Sequence, residues 1–204
     1  MPVRKLRPIS TFVARTAAAA FSVAAVAALA TAAAHTGLAQ APVPRKAPEF
    51  TIARPVGDPI LLSSFKGKVV LIEFMFVGSP HCIQLAQMLN TLQHDLGPRG
   101  YQSVAIAFGQ GADQGAINHI AQRLGLSYPV GYTTSDKVDA FLGREAGEKV
   151  RIPQMILIDR QGFIRAASGL KADPSLESDP AVRATLAPLL DAPASSAAAK
   201  PAAK

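Results

Sequence analysis

Four consecutive residues, Ser79-Pro80-His81-Cys82, hold the densest group of potentially reactive side chains in this chain of 204 residues, and Cys82 is its only cysteine. Serine at an N-cap with proline at the first helical position is a strong helix start, so Cys82 falls in the third helical position. The helix dipole and the free N–H groups of a first turn favour a thiolate there, and His81 can add positive charge. A lone cysteine is equally often a small, inert, buried hydrophobe, and the residues by themselves leave both readings open. Ser79 has a plain reading as a helix cap. Glu73, six residues before Ser79, lies between Ile72 and Phe74. Those flanks favour burial, which would raise its carboxyl pKa; a solvated acid paired with Lys68 is the alternative. His81, Cys82, Met75 and Met155 are types that could gather around a soft ion such as Cu(I), but spacing alone does not make a site. His94 and His119 fall in helical stretches and read as surface residues.

The elements that must position these groups can be read along the chain. Pro42, Pro44, Arg45, Lys46 and Pro48 form an extended linker, followed by a turn at Asp58-Pro59 and a short strand at residues 60–62. Residues 63–68 make one helical turn. Val69–Phe76 is an apolar, β-branched run, hence a buried strand. The helix from Pro80 repeats apolar residues at helical spacing (Ile83, Leu85, Ala86, Met88, Leu89, Leu92) and stops at Gly97-Pro98. A second buried strand covers 103–108, and Asp113 can cap a helix carrying Ile117, Ile120 and Leu124. A short strand near 128–132 and a short helix at 136–142 follow. Residues 155–159 and 163–167 flank Arg160-Gln161-Gly162 as an antiparallel hairpin, and 179–190 is a last amphipathic helix. This alternation implies an α/β fold with a mixed sheet.

The stretch Phe65-Lys66-Gly67-Lys68-Val69-Val70-Leu71-Ile72-Glu73-Phe74, leading into the Ser-Pro-His-Cys helix start, resembles the thioredoxin-like redoxins. That family includes secreted thiol-disulfide oxidoreductases of the TlpA type and, further off, the peroxiredoxins. Ala47-Pro48-Glu49-Phe50-Thr51 upstream and Ile152-Pro153-Gln154-Met155-Ile156-Leu157-Ile158-Asp159 with Gly162 downstream extend the resemblance over residues 47–170 in the family's order. It implies a thioredoxin-like fold, a central mixed sheet flanked by helices. It also implies that Ser79 stands where the family has its attacking cysteine and that Cys82 is the more buried, resolving one. Glu73 matches the family's buried carboxylate, which exchanges a proton with the second cysteine. Pro153 after Ile152 matches a cis-proline facing the active-site helix, in a loop that presents backbone groups to an extended peptide. The substrate-binding residues implied are Ile152, Pro153 and Pro80. With Ser79 in place of cysteine, no internal disulfide can cycle, and Cys82 acts alone or the groove binds a partner.

Two other readings stand beside this one. Peroxiredoxins place a threonine or serine three residues before their reactive cysteine, as in Ser79-x-x-Cys82. Their motif also needs a proline where this chain has Met75, and an arginine where it has Pro153, with Arg151 nearby but displaced. The third reading is a non-catalytic binding module. The partner expected is a thiol- or disulfide-bearing protein or a small thiol, with peroxide for the peroxidase reading. No cofactor is expected, since no zinc-type spacing, phosphate loop or Ser-His-Asp order is present.

Residues 1–39 read as a secretory signal: Arg4, Lys5 and Arg7, then an alanine-rich apolar segment, then small residues before a cut after Ala39. If the segment is retained, it would anchor the chain to a membrane. Without it the net charge falls from +7 to about +3, which with no basic run interleaved with aromatics argues against nucleic acid. Residues 40–47 are then a linker, 48–190 the thioredoxin-like domain, and 191–204 an Ala/Pro/Lys tail too poor in large apolar groups to fold. The expected location is periplasmic or otherwise exported.

Overall fold

All seven side chains of Val69–Met75 (β4) are buried, and the core of the described residues is layered on the two faces of that strand. The computed structural model describes residues 42–145, 151–168 and 174–193. The chain divides into two units, Met1–Gly37 and Leu38–Lys204, and every described residue belongs to the second. The segment expected as a signal, 1–39, and most of the expected tail, 194–204, lie outside the described residues.

In chain order the strands are β1 (Arg45–Lys46), β2 (Thr51–Ile52), β3 (Ile60–Leu61), β4, β5 (Tyr101–Ala107), β6 (Val130–Tyr132), β7 (Gln154–Ile158) and β8 (Phe163–Ala167). The helices are α1 (Pro80–Leu96), α2 (Gln114–Leu124), α3 (Ser135–Leu142), α4 (Pro174–Glu177) and α5 (Asp179–Asp191). Six strands make one sheet in the order β1-β8-β7-β4-β5-β6, and β2 pairs with β3 in a separate hairpin. β4 runs parallel to β5 and antiparallel to β7, so the sheet is mixed, as the sequence implies.

Alternation along β4 sorts the core into two layers. Val69, Leu71 and Met75 meet Leu85, Leu89 and Leu92 of α1 and Val182 and Leu186 of α5. Val70, Ile72 and Phe74 face the other way, onto Phe50, Phe65 and the α3 residues Val138 and Phe141. Phe74 anchors that second layer with edge-on contacts to Phe50 at 5.8 Å and Phe108 at 6.3 Å between ring centroids. Cover on both faces is why β4 reads as an unbroken apolar run rather than an alternating one.

The sheet is wider than the sequence suggests. Arg45–Lys46, expected in the linker, pairs with Ile164 and Phe163 as the edge strand β1. Strand β5 begins at Tyr101 rather than 103; β3 falls where the sequence places a short strand, whereas its hairpin partner β2 and the short α4 carry no strong sequence signal. At the opposite edge Gly131 lets the chain before β3 close on β6: a Cβ there would lie 2.5 Å from the Ala53 carbonyl oxygen, and Tyr132 N–H donates to that oxygen at 2.9 Å. Arg160 ties three segments at the end of β4 remote from the start of α1. Its guanidinium donates to the carbonyls of Gly67 (2.9 Å), Arg99 (3.0 Å) and Leu190 (3.1 Å).

Candidate functional site

Strand β4 leads through Phe76-Val77-Gly78 into the start of α1, where Ser79 is the N-cap with extended backbone (φ −86°, ψ 116°). Its Oγ accepts the Cys82 N–H at 3.4 Å, and its carbonyl accepts the Ile83 N–H at 3.1 Å. Proline at the first helical position needs no N–H partner, and Pro80 stands exposed there. Ser79 and His81 are half-buried, whereas Cys82 is 0% exposed. The first turn therefore turns its serine outward and its thiol into the core, among Leu85, Met75 and Met155.

Burial decides the chemistry of that thiol. The dipole and the Ser79 hydroxyl act to lower its pKa, but desolvation acts more strongly and the Glu73 charge adds to it, so the Cys82 thiol is pushed above its ordinary value. The thiolate that a helix N-terminus favours is outweighed here by a dry surrounding.

Glu73 lies on the α1 side of β4, flanked by Ala105 of β5 and Met155 of β7. It is 0% exposed, and neither carboxyl oxygen has a partner in hydrogen-bond geometry. The Cys82 thiol is near enough to act on it, but desolvation dominates and holds the carboxyl well above its ordinary value. The Tyr128 phenol also feels this carboxylate and is raised with it, chiefly by its own burial; its hydroxyl donates to the Ala86 carbonyl at 3.0 Å. Glu73 is not paired with Lys68, whose ammonium donates to Gln102 at 3.0 Å.

The loop before β7 completes the place. The Ile152–Pro153 peptide bond is cis, as the resemblance implies, with Pro153 buried and Ile152 half-buried. Just after it, Met155 N–H donates to Ser168 Oγ at 2.7 Å. Arg151, just before it, forms a two-pronged ion pair with Glu177 of α4, the second contact being 2.8 Å. Glu177 also lies 4.0 Å from His81 Nε2. Arg151 and Glu177 thus join the set that surrounds the start of α1. Sequence reasoning noted Arg151 only as a displaced arginine and missed Glu177, Tyr128 and Ser168. No short-range pattern marks Glu177, because its partners are 26 residues away and further. Among the described residues no three His, Cys, Asp or Glu side chains are grouped to hold a metal ion.

The comparisons with known proteins agree with this geometry. A family model described as AhpC/TSA matches residues 43–167. The chain belongs to the AhpC/TSA family. That match begins before β1 and ends at the last residue of β8, so it spans the whole six-stranded sheet of this AhpC/TSA-family chain. A thioredoxin-family thiol:disulfide interchange protein from Chlorobium tepidum TLS is 26% identical, with 72% of this chain and 99% of that one covered at a TM-score of 0.58. A thiol:disulfide interchange protein from a Bacteroides species shares the fold at 20% identity, 76% and 95% coverage and a TM-score of 0.61. A secreted Mycobacterium tuberculosis disulfide oxidoreductase homologous to DsbE does so at 18% identity, 69% and 96% coverage and a TM-score of 0.53. No curated protein matches the chain. The fold is thioredoxin-like and the chain is a redoxin, related to thiol-disulfide oxidoreductases.

Proposed function

We propose that this chain is an exported redoxin that has lost the dithiol cycle and keeps its groove to bind a thiol- or disulfide-bearing protein. The observation that carries this is the split of the two positions. The outward one holds Ser79, a hydroxyl that caps the helix, and the only thiol, Cys82, is 0% exposed and pushed up in pKa. A hydroxyl cannot form a disulfide, and a buried protonated thiol is a poor nucleophile. What this reading keeps is the recognition surface: Ser79, Pro80 and His81 at the start of α1, and the half-buried Ile152 next to the buried Pro153 in the loop before β7. Glu73 in this reading is a buried acid without a redox partner thiol at Ser79.

Export is part of the proposal and rests on the basic, alanine-rich, small-residue order of residues 1–39, cut after Ala39. Among the described residues no helix is long and apolar enough to cross a membrane. The domain limits proposed are 40–47 as a lead-in, 48–190 as the thioredoxin-like domain and 191–204 as a tail. Peroxide reduction has less support. Met75 replaces the proline of the peroxiredoxin motif, and the nearest arginine, Arg151, is occupied by Glu177.

A reduced, unfolded ribonuclease is a suitable probe, being extended and thiol-bearing. The expected result is saturable binding that survives Cys82→Ala within twofold and weakens about tenfold in Ile152→Glu, a charge set into a half-buried apolar contact. Loss of binding with Cys82→Ala would show that the thiol itself makes the partner contact.

A further inference from the structure

At the far end of β4 from Cys82 lies a cleft of about 260 Å³ between the lead-in to β2, the 3-10 turn Leu62–Phe65 and the β7–β8 turn. A strand of seven residues separates the two places by roughly 20 Å, so this cleft is no part of the groove described above. Its floor is apolar, made by Leu62, Phe65, Val70 and Ile158.

Three ammonium groups stand around this floor: Lys46, Lys66 and Lys68. Two are held in place. Lys46 Nζ donates to the Gln161 carbonyl at 2.9 Å and sits 5.1 Å from the Phe163 ring centroid. Lys68 Nζ donates to Gln102 at 3.0 Å. Lys66 is exposed and has no ionic partner among the described residues.

The cleft also contains two carboxylates, and both are already engaged. Glu49 accepts the N–H groups of Phe50 at 2.9 Å and Ser63 at 3.1 Å; desolvation pushes its carboxyl up, but hydrogen bonding to Ser63, Phe50 and Leu62 together outweighs that and holds its pKa below the ordinary value. These bonds also tie one wall to the other, which fixes the width of the opening. Asp159 accepts the N–H groups of Gln161 and Phe163, both at 2.9 Å, and pairs with Arg165. Neither acid pairs with a lysine of the rim. The result is a preformed apolar hollow whose three rim lysines outnumber the one lining carboxylate, Glu49, that has no cation paired with it among the described residues.

We propose that this cleft binds a small organic anion: a carboxylate, or an isosteric sulfonate, on an aromatic or branched apolar body. The body would cover Phe65, Val70 and Ile158, and the head would lie among the three lysines. Apolar floors with a few placed charges are the usual build of such sites. This inference does not depend on the function proposed for the Cys82 end.

The probe is anilinonaphthalene sulfonate, whose fluorescence rises when its apolar body leaves water. The full folded chain should bind one equivalent with Kd on the order of tens of micromolar. Binding should weaken at least about fivefold in Lys66→Glu and in Lys46→Gln, and stay unchanged in Arg123→Glu on α2. Backbone amide shifts should centre on Lys66 and Gly162, which line the cleft. Binding that ignores Lys66→Glu, amide shifts centred on the start of α1, or no saturable binding would each overturn the proposal.

Discussion

Ser79→Cys is expected to turn a site without disulfide chemistry into one that forms and exchanges a disulfide. Position 79 is the half-buried N-cap of α1, and the Cys82 N–H already points at its side-chain atom at 3.4 Å. A thiol in that place gains the helix dipole and a backbone N–H for its thiolate, the setting in which Cys-x-x-Cys thiols fall toward neutral pKa. Three residues on, Cys82 would serve as the buried resolving thiol, with Glu73 beside it to take or return a proton. Under mild oxidation the variant should lose two hydrogens by mass and become resistant to alkylation until reduced. Its rate of insulin disulfide reduction at pH 7 should exceed that of the parent chain by at least about tenfold, following the larger thiolate fraction and its access. A variant that folds, binds the ribonuclease probe and still forms no disulfide would show that the two positions are not set for exchange.

Glu73→Leu is expected to stabilise the protein strongly. Both carboxyl oxygens are buried without hydrogen-bond geometry to any partner, and the nearby Cys82 thiol offsets only part of the cost of taking the carboxyl out of water. The folded pKa lies well above the ordinary 4.5 because of desolvation. A group raised in this way leaves stability intact below its unfolded pKa and removes it as pH rises toward the folded pKa. The cost therefore grows above about pH 4.5, by up to about 1.4 kcal/mol per pH unit. Leucine fills a similar volume without that cost, giving a gain of about 2–4 kcal/mol at pH 7 and roughly 5–15 °C in Tm. The gain should shrink toward pH 4. Urea unfolding across pH 4–8 checks both size and slope. A gain that did not change with pH would mean that the Glu73 carboxyl titrates in the fold as it does in the unfolded chain.

The parts of the fold that were legible in the sequence were those with local signals. The β-branched run of β4, the Ser-Pro start of α1 and its Gly-Pro stop each state their own structure within a few residues, and the order of the motifs along the chain supplied the topology. The parts that were not legible depend on distant pairing. Alternation allowed Glu73 either face of β4, and only its position between Ala105 and Met155 put it against α1. Arg45 and Lys46 are polar and surrounded by prolines, so they read as linker, yet they pair with β8 more than a hundred residues later. Cys82 shows the limit most clearly. Its place in the first helical turn favours a thiolate, but the packing of α1 against β4 decides the opposite, because burial outweighs the dipole. The contact of Arg151 and His81 with Glu177 had no signal at all, since α4 is four residues long and lacks a periodic pattern.

The measurement that bears most directly on this account is the pH dependence of Cys82 alkylation in the folded chain, with and without prior peroxide. A buried, protonated thiol should label no faster than the protein opens. Its rate should track stability across denaturant, show no midpoint below the free-thiol value of about 8.5, and be unchanged by stoichiometric peroxide. Rapid labelling with a midpoint well below that value, abolished by peroxide, would contradict it and return Cys82 to the role of a working nucleophile.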